Sequence, residues 1–310
     1  MSRARIRIAG APITWGVCEV PGWGHQMAPK RVLAEMAELG ITATEAGPDG
    51  FLPDDPAGLA HRLQEHGLKL VGAFIPVVLH DAARWPGERE EAARRIRLIA
   101  AAGGEVAVLA AATGTEGYER SADLDDEQWA HLAKAVAELG ATADSEGVLL
   151  TMHPHYGTVI ETAEQVDRFL RESDAALCLD TGHLMVGGAD PVAVAKAAGT
   201  RVRHVHLKDV DSDVARRVRR GELGYHEAVG QGLYRPLGRG DLDIRALFEV
   251  LDANGFSGWV VLEQDTVLSE EPHENEGPYE AAEASLRYLE GVIGTTADHQ
   301  SWERGGTHAK

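Results

Sequence analysis

Short apolar runs and longer segments of helical period alternate along almost the whole chain. Ile6–Ala11 reads as a first strand. Pro29–Leu39 follows with Val32, Met36 and Leu39 on one face, and Gly40 sits just past its end, where a left-handed cap is commonly needed. Thr42–Ala46 and Lys69–Ile75 predict strands two and three, with helices over Ala57–His66 and Glu88–Ala102. Glu105–Ala110 predicts strand four, before a long helix, Asp125–Ser145, that turns Trp129, Leu132, Val136 and Leu139 to one side. Gly147–His153, Ala176–Asp180, Arg201–Leu207 and Gly258–Glu263 predict strands five to eight. Their helices fall at Thr162–Arg171, Pro191–Ala198, Ile244–Asn254 and Tyr279–Val292. Eight such units predict an α/β protein, a single (β/α)8 barrel of parallel strands inside a ring of helices. A doubly wound sheet is the weaker alternative, because no Gly-x-Gly-x-x-Gly follows the first strand.

Two insertions interrupt the rhythm. Val210–Asp243 separates strand seven from its helix, and Thr266–Pro278 separates strand eight from its own. Both are expected over the barrel mouth, where long loops are often functional. Low apolar content from Thr295 onward predicts a catalytic barrel over residues 1–294 and a disordered tail over 295–310. A chain of 310 residues that is 44% hydrophobic can bury a core of this size.

Net charge is −19, which repels phosphates and argues against a nucleic-acid partner. Only two cysteines occur, Cys18 and Cys178; they offer no disulfide framework and fit a reducing compartment. The segment Met1–Ile6 lacks the apolar stretch of a signal peptide, and no apolar run approaches the ~20 residues of a membrane span. The expectation is a soluble cytoplasmic protein without a membrane partner, compatible with a homo-oligomer.

Candidate chemistry gathers at the strand ends of the second half. His153, Asp180, His206 and Glu263 each close an apolar run, and in parallel strands all four would stand at the C-terminal ends, where α/β enzymes place their sites. A buried carboxylate or imidazole is costly unless paired, and a divalent cation supplies the pairing. Two histidines and two carboxylates suit Mn²⁺ or Co²⁺ first, with Zn²⁺ and Mg²⁺ as alternatives. His153 begins His153-Pro154-His155-Tyr156-Gly157-Thr158, so either histidine can ligate while the other holds substrate. His183, three residues beyond Asp180, can orient a ligand or bind substrate.

Lys208 shares a strand face with His206 and can stabilise an enolate oxygen. Glu45, ending strand two, can act as a base or accept a hydroxyl proton. Trp15 and Trp23 flank the first strand's loop and can form one wall of a polar-ligand pocket or pack the barrel top. The arginines between Arg216 and Arg220 are interleaved with acids and read as a solvated helix. Gly238-Arg239-Gly240-Asp241 lacks a Walker lysine and reads as a turn.

The segments Ala11-Pro12-Ile13-Thr14-Trp15-Gly16, Thr44-Glu45-Ala46-Gly47-Pro48, His153-Pro154-His155-Tyr156-Gly157-Thr158, Asp180-Thr181-Gly182-His183 and His204-Val205-His206-Leu207-Lys208-Asp209 resemble the xylose-isomerase-like TIM-barrel superfamily of sugar isomerases, epimerases and AP endonucleases. Within it they resemble most the inosose dehydratases of inositol catabolism. The resemblance spans roughly Ile8 to Val292. It implies a metal-dependent lyase dehydrating a polyhydroxylated cyclic ketone such as scyllo-inosose (2-keto-myo-inositol). Acid and base work would be shared among Glu263, His155, His183, Lys208 and Glu45, and substrate contacts among Trp15, His155, His183 and Lys208. A metal-dependent sugar or cyclitol isomerase or epimerase is the alternative. Epimerases of the superfamily carry a glutamate at the end of strand five, where this chain has His153, and that departure disfavours simple two-base epimerisation.

Overall fold

The apolar runs take up extended backbone as nine parallel segments in one sheet. They are β1 (Arg7–Gly10), β2 (Ala43–Thr44), β3 (Lys69–Leu70 continued by Gly72–Val77), β4 (Val106–Ala111), β5 (Leu149–Met152), β6 (Ala176–Asp180), β7 (Val202–Leu207) and β8 (Trp259–Leu262). The computed structural model describes residues 6–119 and 121–296. Hydrogen bonding runs β3-β2-β1-β8-β7-β6-β5-β4 and returns to β3. Lys69 and Leu70 pair with β2, and Gly72 to Val77 pair with β4. Between them Val71 donates its N–H to Thr44 O at 2.8 Å, while its carbonyl accepts from Glu105 at 2.7 Å and Val106 at 3.0 Å. The chain therefore changes partners within one strand and closes a (β/α)8 barrel.

Alternation along the strands sorts side chains between two cores. Val205 and Leu207 face outward into the main strand–helix core, together with Val32, Met36, Leu132, Leu139, Phe169 and Phe248 from the surrounding helices. The inward residues include a small apolar plug of Ala9, Ala43, Val106, Val108, Cys178, Trp259 and Val261. His204, His206 and Lys208 alternate with Val205 and Leu207 and are buried on the inward side above it.

Helices form at the expected places with shifted ends. The third begins at Trp85, ahead of the expected Glu88, because Pro86 is tolerated in a first turn. Reciprocal capping boxes start two others, Asp125 with Gln128 and Thr162 with Gln165. A short helix, Thr181–Gly187, follows β6 directly and was not expected; Asp180 caps it through His183 N–H.

The insertion after β7 is ordered. Asp209–Val210 pairs antiparallel with Tyr234–Arg235, and helices Ser212–Arg219 and Tyr225–Gly230 lie between. Arg216 pairs with Asp213 on the solvated first helix, as expected. Gly238-Arg239-Gly240 is a turn around the buried Asp209 carboxylate, which accepts N–H bonds from Gly238, Gly240 and Leu242. The last helix runs Pro278–Thr296, so Thr295 and Thr296, expected in the tail, continue it. The remaining expected tail, 297–310, lies outside the described residues. Among the described residues no helix is long and apolar enough to cross a membrane.

Gly72 marks the closure. A Cβ there would stand 2.0 Å from Val106 O, so only glycine lets β3 approach β4. Gly72→Ala is expected to destabilise the protein by at least ~2 kcal/mol, since backbone must move. Gly87→Ala, with open space around its Cβ in a helix, should be neutral or stabilising by up to about 1 kcal/mol. Thermal unfolding of the two variants checks the contrast; an unchanged melting temperature for Gly72→Ala would show that the barrel closes otherwise.

Candidate active site

Register places three donors at one level. Asp180 stands opposite His206 in the ladder of β6 and β7. Glu263 follows β8 and donates its N–H to Leu207 O at 3.2 Å. Nδ1 of His206 then lies 3.6 Å from Oδ2 of Asp180 and 3.4 Å from Oε2 of Glu263. These side chains form one cluster of ligand atoms within 4.8 Å of one another. Nδ1 of His206 is buried and has no hydrogen-bond partner among the described residues. A buried ring nitrogen facing two carboxylate oxygens without a hydrogen bond is the donor set a divalent cation takes.

The other nitrogen fixes the tautomer. His206 Nε2 lies 2.9 Å from Oε1 of Glu45, and His204 Nε2 approaches the same oxygen at 2.8 Å. Burial alone would raise the Glu45 carboxyl, but the facing His206 and His204 reverse this and hold it well below the carboxylate range. An ionised carboxylate only accepts, so Nε2 of His206 carries the proton and Nδ1 presents its lone pair. Burial opposes charge on His206, yet Cys178, Glu263 and Glu45 draw its pKa well above the ordinary value. The acidic surroundings thus call for a positive charge at this point, which a proton meets when a metal ion does not.

The remaining groups divide into charged and neutral. Burial opposes charge on Lys208, but Asp180, Asp265 and Glu263 raise it well above the ordinary lysine range and keep an ammonium. Burial likewise opposes ionisation of Asp180, yet the Lys208 ammonium holds it well below the usual value, and its Oδ1 accepts the His183 N–H at 2.8 Å. Burial pushes the Glu263 carboxyl up to about 7 against the pull of His206 and Lys208. Burial lowers His153 to about 4 and pushes His155 and His183 well down, so these three imidazoles are neutral. The rings of His155 and His183 lie close together, centroids 3.6 Å apart and tilted by 33°. The Nδ1 of His155 lies 2.6 Å from Tyr156 O, which leaves Nε2 as the nitrogen available to a ligand.

A pocket of about 290 Å³ opens over these groups. Glu45, His153, His155, His183, His206, Lys208 and Glu263 all line it. Asp180 lies beneath them, fully buried. His153 stands beside the three-donor cluster: its Nε2 lies 3.2 Å from Oδ2 of Asp180, and it groups with Asp180 and His183 or with Cys178 and His206.

Trp15 departs from expectation and does not line the pocket. It is 1% exposed, its Nε1 donating at 2.7 Å to Glu35 on the helix Pro29–Glu38, because the 3-10 turn Pro12–Trp15 aims it at the outer core. Trp23 takes the wall instead, tied to Thr266 O at 2.9 Å.

Four further residues belong to the site. Asp265 and His204 lie two residues from Glu263 and His206, and that spacing on an extended segment is the signal that could have found them. Tyr225 and Tyr234 come from the insertion after β7, whose fold leaves no local periodic signal. Gly182 makes room for both neighbours: a Cβ there would lie 2.7 Å from Lys208 Cβ and 2.7 Å from the Tyr234 ring.

A family described as xylose isomerase-like TIM barrel matches residues 33–290. An inosose dehydratase of Geobacillus kaustophilus (strain HTA426) is 32% identical over 301 residues, covering 93% of this chain and 95% of its own length. Among solved structures, an L-ribulose 3-epimerase superposes with a TM-score of 0.68 at 19% identity, covering 96% of this chain and 100% of that one. The IOLI protein with a binding zinc atom gives 0.67 at 15% identity, with 95% and 100% covered. These two share the fold. With the family match over residues 33–290 and 32% identity to an inosose dehydratase over 93% of its length, the chain belongs to the inosose dehydratase family of the xylose isomerase-like TIM barrels.

Proposed function

We infer that the protein is a metal-dependent lyase that removes water from a polyhydroxylated cyclic ketone, with scyllo-inosose as the favoured substrate. The observation that carries this reading is one pocket with an ammonium and neutral imidazoles over a cluster in which Nδ1 of His206 faces two carboxylates without a hydrogen bond, in a chain 32% identical to an inosose dehydratase over 93% of its length. Asp180, His206 and Glu263 would hold the cation with His153 beside them, and Mn²⁺ or Co²⁺ suits their mixed nitrogen and oxygen donors. When bound, the ion supplies Lewis acidity towards the ketone oxygen.

The side chains supply the rest. The Lys208 ammonium points a donor at the oxygen on which charge grows as the α C–H is broken. A neutral imidazole, Nε2 of His155 or the neighbouring His183, takes the α-proton. The electron pair of that C–H bond forms the new C=C as the β C–O bond breaks, and the hydroxyl leaves as water with the proton that the imidazole took. Glu263 carries a carboxyl raised to about 7 while no cation is bound; as a ligand it would be ionised. Glu45, with one oxygen facing both His204 and His206, acts by orienting His206 and not on substrate. A cytoplasmic location fits the free Cys18 and Cys178.

The direct test is incubation of the Mn²⁺-loaded protein with scyllo-inosose, followed by mass spectrometry. A product lighter by one water, absorbing in the ultraviolet and absent after chelation, is expected. A product of unchanged mass would replace the lyase with an isomerase or epimerase. Metal analysis supplies a second prediction: His206→Ala and Glu263→Gln should lose bound metal, and Glu45→Gln should weaken Mn²⁺ binding by roughly ten- to a hundredfold without unfolding. Full occupancy in all three would place the ion elsewhere. Third, Lys208→Met should lower kcat by about a hundredfold or more while KM stays within a few-fold, as loss of a donor to a developing oxyanion does. A change confined to KM would make Lys208 a substrate anchor only.

A further inference from the structure

Asp265 is buried two residues beyond Glu263, and its two oxygens face different groups, Oδ2 in a hydrogen bond and Oδ1 in an ion pair. Oδ2 accepts from the Tyr225 hydroxyl at 3.0 Å, and Oδ1 lies 2.7 Å from Nζ of Lys208. That Nζ also lies 3.0 Å from Nε2 of His183, 3.0 Å from Oε2 of Glu263 and 3.3 Å from Oδ2 of Asp180. An ammonium has three protons, so these four groups compete for it. Two of the four, on Asp180 and Glu263, are the same oxygens that face Nδ1 of His206. A divalent cation taking those oxygens would repel the ammonium and deprive it of both contacts. Only Asp265 would then remain as an anionic partner.

Resting on the reading of this pocket as a cation-dependent active site, we propose that Asp265 is a positioning residue that draws Lys208 off Asp180 and Glu263, freeing both carboxylates for the cation while keeping the ammonium beside the substrate. The surroundings hold Asp265 to this task. Tyr225 is fully buried, and its hydroxyl lies 3.0 Å from that of Tyr234, which in turn reaches Nδ1 of His183 at 3.4 Å. The helix Tyr225–Gly230 is pinned by Glu119, whose carboxylate accepts the N–H groups of Tyr225 and His226, each at 3.0 Å. Gly182 fixes the path of the Lys208 stem from below. The insertion after β7 thereby acquires a role, as the bracket that keeps Asp265 on the lysine.

The test is a double-mutant cycle read by Mn²⁺ titration calorimetry on wild type, Asp265→Asn, Lys208→Met and the double variant, with kcat and KM on scyllo-inosose measured alongside. Asp265→Asn should weaken Mn²⁺ binding about tenfold, because Lys208 stays on the ligand carboxylates, and Lys208→Met should tighten it. In the Lys208→Met background, Asp265→Asn should change Mn²⁺ affinity less than about twofold. Its kcat should fall on the order of a hundredfold with KM nearly constant, and Asp265→Glu should recover part of the loss.

Equal weakening in both backgrounds would overturn the proposal and make Asp265 a ligand or a structural support. Unchanged affinity in Asp265→Asn would overturn it as well. If Asp265→Asn does not fold, Tyr225→Phe carries the test, with a smaller loss of Mn²⁺ affinity that must vanish with Lys208→Met. The calorimetry needs no substrate. A protein that shows the lysine-dependent effect yet leaves scyllo-inosose intact would refute the substrate assignment alone, whereas a wild type that binds no Mn²⁺ removes both readings.

Discussion

Four carboxylates, Glu45, Asp180, Glu263 and Asp265, meet at the top of the barrel with no more than 7% of any one exposed. Charges taken out of water at this density cost several kcal/mol each unless opposite charge lies against them. The site is organised around that debt of positive charge. Lys208 meets part of it through Asp180, Glu263 and Asp265. His206 meets another part through Glu45, while its second nitrogen faces Asp180 and Glu263 without a hydrogen bond. Such an arrangement is expensive for folding and suited to holding a divalent cation, and the free energy that sustains it comes from the apolar layer between strands and helices.

The barrel makes the arrangement possible because register fixes height. Parallel pairing of β6 with β7 and of β7 with β8 carries Asp180, His206 and Glu263 to one level without any local motif linking them. Alternation within β7 then turns His204, His206 and Lys208 into the barrel as a column. The lowest member braces Glu45, the middle one faces the cation site, and the uppermost reaches the pocket. Closure at Val71 and Gly72 matters to function for the same reason, since a slipped seam would tilt every strand end that contributes a donor.

Much of this was legible in the residue pattern. Strand–helix alternation gave the barrel, and the polar residue closing each buried run gave His153, Asp180, His206 and Glu263. A spacing of two puts Lys208 on the face of His206, and the same spacing marks His204 and Asp265. Other features depend on packing that no short stretch encodes. Trp15 and Trp23 look alike in sequence, but a 3-10 turn sends the first to Glu35 and leaves the second on the pocket wall. The helix Thr181–Gly187 is too short and glycine-rich to show a period, although Asp180 caps it. Tyr225 and Tyr234 reach the site through an insertion whose two short helices and small ladder are held by contacts with other loops, Glu119 among them.

The central claim is that the unpartnered nitrogen of His206 and the carboxylates facing it form a cation site. A crystal of the Mn²⁺-loaded protein, measured at the manganese absorption edge, locates the ion directly. The account predicts one anomalous peak per chain, bonded to Nδ1 of His206 and to oxygens of Asp180 and Glu263, with the Lys208 ammonium moved towards Asp265. A peak on Nε2 of His206, or none in the barrel while the ammonium still bridges Asp180 and Glu263, would contradict it.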